Sequence, residues 1–308
     1  MKNAALENHI LRRLRWDELD VTYLCRIVEN AKAEDLAGLG LASPPKRVGD
    51  PSTELLLAPQ KQGRAHLIAR KECVVCGLPL VPFILEAYGG RVQLKEHCTD
   101  GQKLPAGTVL ATLQGDAATI LTAERVILNF SQKLTGIATQ TKHYVACIEN
   151  GPTRLLDTRK TTPGWRMLEK YAVATGSAWN HRLGLFDRIM LKDNHFEAGQ
   201  AFVGEGLASL IRRARKARPD LPIECEVDSL EQIQPVLKAG ADIILLDNFP
   251  LPKLRQALAQ INNAAWTEAS GGITLDALPA IAETGVDFIS TGALTHQAHW
   301  LDIGLDWE

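Results

Sequence analysis

PIECEVDSLEQIQPVLKAGADIILLD, residues 222–247, decides how the larger part of this chain folds. In PIECEV, apolar Ile223, Cys225 and Val227 alternate with Glu224 and Glu226. Alternation of period two marks a strand, because successive side chains leave it on opposite faces. The run LEQIQPVLKAG that follows reads as a helix, and Ser229 with Gln232 three residues later forms a capping box at its start. DIILLD is then a second strand, and a strand, helix, strand succession at this spacing gives a parallel pair.

The same rhythm extends in both directions from residue 150 onward. The strand candidates are RLLDT, RIMLK, PIECEV, DIILLD, AWTEAS and VDFIS. The helical runs between them are WRMLEKYAVA, LASLIRRARKA, LEQIQPVLKAG, LPKLRQALAQI and LDALPAIAET, with Thr274 as an N-cap. These strands fall short of the eight that a closed (β/α)₈ barrel needs. The expected fold class is therefore α/β, with an open, incomplete (β/α) barrel. Upstream the rhythm is different. A helical segment, DELDVTYLCRIVENAKAEDL, is followed by a polar stretch from Ala37 to Pro51. Short strands AHLIA, CVVCG, RVQLK and TVLATL come next, with the helix-like LPLVPFILEAY among them. This is a smaller α/β domain preceding the barrel. A long amphipathic helix is expected from Thr122 to about Ile148, with Val126, Phe130, Leu134 and Ile137 on one face and a break at Gly136. The expected domains are residues 1–121, 122–295 for the barrel, and a tail, 296–308, packing back on the first domain.

At 308 residues the chain suits one large domain or two, and 45% hydrophobic with 23% charged residues is ordinary globular composition. A net charge of −2 excludes a nucleic-acid surface spread over the whole protein but leaves room for a local cationic pocket. MKNAALENHILRRLRWDELD has no apolar h-region, and no run is long enough to span a bilayer. The six cysteines are scattered, so the expectation is a cytoplasmic protein with free thiols and no membrane partner. Cys73-Val-Val-Cys76 has redox or metal spacing. Its flanks are apolar and no second pair accompanies it, so it reads as buried strand cysteines.

In a parallel barrel the active site lies at the C-terminal strand ends. Those ends carry Thr158-Arg159-Lys160, Lys192, Glu226, Asp247, Ser270 and Thr291, all polar or charged. The alternation in PIECEV turns Glu224 and Glu226 toward the interior, where carboxylates need cations or a metal. Pairing with Lys192 or Arg182 to neutralise the core is the plain alternative. The turns Ser270-Gly271-Gly272 and Ser290-Thr291-Gly292-Ala293 follow the last two strands, where barrels bind phosphate, although turn glycines on their own only satisfy turn geometry. Between Thr158 and Phe186 stand Arg159, Lys160, Arg166, Lys170, His181 and Arg182 against one acid, Glu169, which suits a small polyanion. Arg166 and Lys170 read as an i,i+4 pair on a solvated helix face and are left outside the site.

Together these residues resemble the quinolinate phosphoribosyltransferase family. The matching stretches are TAERVILNFSQKLTGIAT, LLDTRKTTPGWRMLEKYAV, NHRLGL, LKDNH, ECEVDSLEQ, KAGADIILLDN, EASGGI and TGVDFISTGALTH, in the family's order from about residue 122 to 296. Upstream, Glu34 to Leu36 and Gly49-Asp50 are similar to the family's start. ATGSAW departs from the glycine-rich run that many members carry before NHR, with Ser177, Ala178 and Trp179 in place of smaller residues. The resemblance implies an N-terminal α/β sandwich domain before the open barrel, and a homodimer or an assembly of dimers with a shared active site. It also implies conversion of quinolinate and phosphoribosyl pyrophosphate to nicotinate mononucleotide, pyrophosphate and CO2, a step of NAD synthesis. Arg125 from the partner, Arg159, His181, Arg182 and Lys192 would surround quinolinate, and Thr158 belongs to the same substrate-binding set. Lys160 and His195 would contact phosphoribosyl pyrophosphate, Glu226 and Asp247 would hold Mg²⁺, and the turns Ser270, Gly271, Gly272 and Thr291, Gly292, Ala293 would take the 5-phosphate. Lys160, Lys192, Glu226 and Asp247 are the expected catalytic residues. Competing readings are a related phosphoribosyltransferase without decarboxylation, a non-catalytic barrel binding a phosphorylated metabolite, and a Schiff-base aldolase using Lys192.

Overall fold

The structure is a computed structural model that describes residues 2, 6–148, 150–192, 195 and 205–308. Asp193 and Asn194 of the LKDNH stretch lie outside the described residues. In chain order the strands are β1 Gln62–Ala69, β2 Cys73–Val74, β3 Val92–Glu96, β4 Lys103–Leu104, β5 Val109–Asp116, β6 Arg154–Leu156, β7 Ile189–Leu191, β8 Ile223–Val227, β9 Ile243–Asp247, β10 Trp266–Ser270, β11 Phe288–Ser290 and β12 Ile303–Trp307. The fold is mixed α/β, with a parallel six-stranded sheet and a separate antiparallel one.

The chain forms two compact units, and each is discontinuous. The barrel unit comprises Met1–Arg13, Thr141–Thr161 and Ser177–Gln297, and the antiparallel unit comprises Leu14–Gln140, Thr162–Gly176 and Ala298–Glu308. These units do not follow the division at residues 121 and 295. The first thirteen residues group with the barrel because Arg12 pairs with Asn180 and the buried Ile10 packs on Leu156, Ile243 and Phe288.

In the barrel unit the strand order is β6-β11-β10-β9-β8-β7, cyclic apart from one missing pairing between β6 and β7. Parallel strands covered on both faces read as apolar runs, and Ile243 to Leu246 of β9 are all buried. The gap between β6 and β7 is where the chain supplies irregular backbone. Trp179 pairs with Leu156 in parallel and Asn180 with Arg12 antiparallel. Arg13 grips the ATGSAW segment: its Nε and Nη2 donate to the carbonyls of Ala178 and Ser177 at 3.2 and 2.6 Å, and its guanidinium lies 4.2 Å from the Trp179 ring centroid. Ser177 has φ of 77°, a left-handed conformation that glycine adopts without steric penalty, which accounts for a glycine-rich run being suited to this turn.

In the antiparallel unit the sheet order is β12-β1-β5-β3, so residues 303–307 pair with β1. Asp20 caps the helix Val21–Ala37 by accepting from the Tyr23 N–H at 2.8 Å, and Gly38 ends it at φ 66°. The long helix runs Ala117–Ala146, and the boundary between the units falls within it. It starts five residues before Thr122 because Asp116, the last residue of β5, accepts from the Thr119 N–H at 3.1 Å and caps it. It does not break at Gly136. A Cβ there would lie 2.0 Å from the His299 carbonyl oxygen, so the glycine serves close backbone approach within a continuous helix. Gly136→Ala is expected to destabilise the protein by about 1–3 kcal/mol, overpacking outweighing the gain in helix propensity. A melting temperature equal to or above that of the parent would show that the 299 backbone yields.

Lys170 corrects the sequence reading. It is 0% exposed and its neighbour Glu169 is 1% exposed, so the face assigned to solvent is interior to the antiparallel unit. Lys133 Nζ lies 3.7 Å from Glu169 there. Cys73 and Cys76 are buried free thiols, and burial, then the Glu72 charge, pushes Cys73 up to about 11.

Candidate active site

The strand ends of the barrel unit surround a cavity of about 710 Å³. Its wall includes Thr158, Arg159, Lys160, His181, Arg182, Lys192, Glu226, Asp247, Ser270 to Gly272 and Thr291 to Ala293. Thus the strand-end side chains identified from the sequence converge on one space. His195 is exposed and lies outside this wall; its N–H donates to the Lys192 carbonyl at 2.8 Å, and its Nδ1 accepts from the Lys192 N–H at 3.1 Å. Arg125 is exposed on the long helix and belongs to the other unit.

Local structure explains how each group is held. Asp157, just past β6 and fully buried, accepts from the Asn180 amide at 2.9 Å and the His181 N–H at 2.7 Å. That fixes the NHR segment against the strand carrying Arg159. Burial lowers the Arg182 pKa first, and the neighbouring Arg159 charge lowers it further. Arg159 Nε is buried and has no hydrogen-bond partner. Two crowded guanidinium groups of this kind suit a ligand with more than one anionic group. Lys192 Nζ is 2.7 Å from Glu226 Oε2, so a cation and an acid expected to serve different ligands pair with each other. Gly271, at φ 89°, allows the Asn248 side chain to approach its Cα, where a Cβ would lie 2.3 Å from the Asn248 Oδ1. Asn248 in turn donates to Asp247 Oδ2 at 2.7 Å. At the next turn a Cβ on Gly292 would meet Lys160 and His296 at 2.7 and 2.8 Å.

Glu226 and Asp247 offer hard oxygen donors to a divalent cation. Glu226 pairs with Leu245 across the sheet, so Asp247, two residues further along β9, faces the same cavity from the adjacent strand. This donor set fits Mg²⁺. A second cluster, His181 with Glu224 and Glu268, is compact enough for a metal. There the Arg188 guanidinium lies 3.0 Å from Glu224 and 3.3 Å from His181 Nε2, which makes the cluster a charge network. Burial works against a charged His181, but Glu224 and Glu268 outweigh it and the pKa rises. Burial works to raise the Glu224 pKa, but the charges and hydrogen bonds of His181 and Arg188 outweigh it and hold Glu224 below the usual carboxylate range.

Sequence reasoning missed Arg188, Glu268 and His296. His296 ends the quoted stretch TGVDFISTGALTH and Glu268 opens EASGGI, so both stood in view. Arg188 opens RIMLK, at the end of its strand opposite to the one searched.

An open α/β barrel with cations, paired acids and glycine turns at its strand ends suits an enzyme acting on a phosphorylated, polyanionic substrate. The comparisons specify it further. The family model described as quinolinate phosphoribosyl transferase, C-terminal domain, matches residues 137–306, and the N-terminal domain model matches 50–135. A Bacillus subtilis protein named "Probable nicotinate-nucleotide pyrophosphorylase (carboxylating)" is 43% identical over 79% of this chain and 82% of its own length. A Nicotiana glauca protein named quinolinate phosphoribosyltransferase (decarboxylating) 2, mitochondrial, is 35% identical over 88% and 81%. The solved structure of the nicotinate-nucleotide pyrophosphorylase from Francisella tularensis superposes with a TM-score of 0.85 at 35% identity, covering 96% of this chain and 99% of that one. The chain belongs to the quinolinate phosphoribosyltransferase family. Its reaction is transfer of the phosphoribosyl group to quinolinate with decarboxylation, in the synthesis of NAD.

Proposed function

We propose that the cavity of the barrel unit is where this transfer takes place, with Arg159, His181, Arg182 and Lys192 surrounding the two adjacent carboxylates of quinolinate. The observation that carries the reading is the crowding of Arg159 against Arg182, with the Arg159 Nε buried and unpartnered. Thr158 and Lys160 sit on the same wall and face the phosphoribosyl pyrophosphate, while His195 is assigned to that substrate by resemblance alone. Ser270, Gly271, Gly272, Thr291, Gly292 and Ala293 take the 5-phosphate. Glu226 and Asp247 would hold Mg²⁺, which when bound stabilises the departing pyrophosphate.

The residues hold charge in register through the reaction. As the bond from C1 of the ribose to pyrophosphate breaks, the sugar gains oxocarbenium character, and the pyridine nitrogen of quinolinate attacks C1. The ribosylated ring is cationic and stabilises the electron pair left at C2 when the adjacent carboxylate departs as CO2, and a proton from solvent then forms the C2–H bond of the product. Arg159, Arg182 and Lys192 keep the ring oriented, and Lys160 offsets phosphate charge.

Arg159→Lys keeps the charge but loses the planar fork, so quinolinate KM should rise about tenfold while phosphoribosyl pyrophosphate KM changes little. Equal rises would assign Arg159 to the phosphates.

The same reading includes a homodimer, or an assembly of dimers, in which Arg125 of the partner subunit completes the clamp. Leu55 and Leu56, 83% and 82% exposed, and Leu185 and Phe186, 71% and 66% exposed, are apolar surfaces of the kind that a second copy would cover. No helix among the described residues is long and apolar enough to cross a membrane. The free thiols support a reducing location, for which the cytoplasm is the assignment.

A further inference from the structure

Behind the stretch of cavity wall that carries His181 and Glu268 lie two further charges, Arg188 and Glu224. Arg188 is 2% exposed, and Glu224 and Glu268 are 0% exposed. Arg188 Nη1 donates to Glu224 at 3.0 Å, and its Nη2 donates to the Ile10 carbonyl at 3.2 Å. His181 Nε2 lies 3.3 Å from Glu224 and 3.4 Å from Glu268, and neither oxygen of Glu268 has a hydrogen-bond partner. Two buried carboxylates therefore flank one edge of His181, and the Arg188 guanidinium offsets the negative charge of Glu224 from the other side.

The consequence follows from elementary electrostatics. A buried carboxylate that is not neutralised captures the nearest cation. His181 Nε2 already lies against Glu224 and Glu268, and the next cation of the clamp to feel Glu224 is Arg182. A dicarboxylate ligand needs that cation itself, and extra negative charge beneath it would repel it. We propose that Arg188 is a positioning residue for the dicarboxylate clamp: by neutralising Glu224 from behind, it leaves Arg182 available to the carboxylates of quinolinate. The inference rests on the clamp reading above. It also gives the N-terminal arm a function, since the Ile10 carbonyl holds one arm of the Arg188 fork and so sets where the other points.

The test compares Arg188→Met, the double variant Arg188→Met/Glu224→Gln, and Arg159→Lys as a reference for the clamp. For each, KM is measured for quinolinate and for phosphoribosyl pyrophosphate, together with kcat and the melting temperature. Arg188→Met should raise quinolinate KM about tenfold or more, with phosphoribosyl pyrophosphate KM within about twofold. Removing the uncompensated charge in the double variant should bring quinolinate KM back to within about threefold of the parent. A purely structural role would lower the amount of active enzyme, and with it kcat, without separating the two KM values.

An unchanged quinolinate KM in folded Arg188→Met overturns the proposal, as does an equal rise in both KM values. Should Arg188→Met fail to fold, the double variant, which removes the buried pair together, decides alone. A near-parental quinolinate KM supports the proposal and a raised one overturns it. If Arg159→Lys also leaves quinolinate KM unchanged, the clamp reading itself has failed; if only the Arg188 variants do, the fault lies with Arg188.

Discussion

Glu226→Ala and Asp247→Ala should each lower kcat/KM by about a hundredfold or more, with the loss concentrated in the use of phosphoribosyl pyrophosphate. Both carboxylates face one cavity from adjacent strands, β8 and β9. Losing a metal ligand removes several kcal/mol of transition-state stabilisation, roughly one factor of ten for each 1.4 kcal/mol. Glu226 carries a second burden, because Lys192 Nζ is 2.7 Å from its Oε2. Glu226→Ala should therefore also change quinolinate binding, by releasing Lys192, whereas Asp247→Ala should spare it. Steady-state kinetics across a Mg²⁺ titration, with calorimetric binding of Mg²⁺ and phosphoribosyl pyrophosphate, separates these effects. Near-normal turnover of both variants at ordinary Mg²⁺ would overturn the proposal that the two carboxylates hold the metal.

Arg125→Ala and Arg182→Ala should each give nearly inactive homodimers, and mixing them should restore up to about a quarter of parental activity. Under free exchange half the dimers are mixed, and each mixed dimer carries both lesions in one site and neither in the other. The expectation depends on Arg125 acting on the cavity of a second subunit. Arg125 is exposed on the helix Ala117–Ala146, and pairing with Glu124 on a solvated face is the competing role, worth little energy. No recovery, when a tagged subunit shows that exchange has occurred, would place Arg125 in its own subunit's site or outside the chemistry.

The parallel sheet was legible because its signal is local. Ile223, Cys225 and Val227 alternate with two glutamates, and each strand end announces a polar residue that the fold gathers. The cavity wall was legible for the same reason: reading where strands stop is enough to name Arg159, Lys192, Glu226 and Asp247. What escaped depended on packing between segments distant in the chain. Arg188 begins its strand, and its partners Ile10, His181 and Glu224 are brought to it only by folding. Lys170 sits four residues after Arg166, a spacing that looks like a solvated helix face, yet it is fully buried. The first thirteen residues show no period that would reveal which sheet they join. Gly136 looked like a helix breaker because propensity alone was weighed, and the contact with residue 299 that requires a glycine is not local.

The division of each unit into three stretches of chain has a consequence for how the protein is made. β1, at residues 62–69, finds its edge partner in residues 303–307, and the barrel's opening strand β6 pairs with β11, more than a hundred residues later. Neither unit can complete its pairing early in synthesis, since domains that fold as they emerge need their partners already on hand. Contacts of such long sequence separation slow folding, because chain closure must precede the reward of the contact. Until residues near 300 appear, the outer edge of β1 is left open, a template for pairing with another chain. The growing chain therefore depends on being shielded until residues 303–307 are available to close that edge.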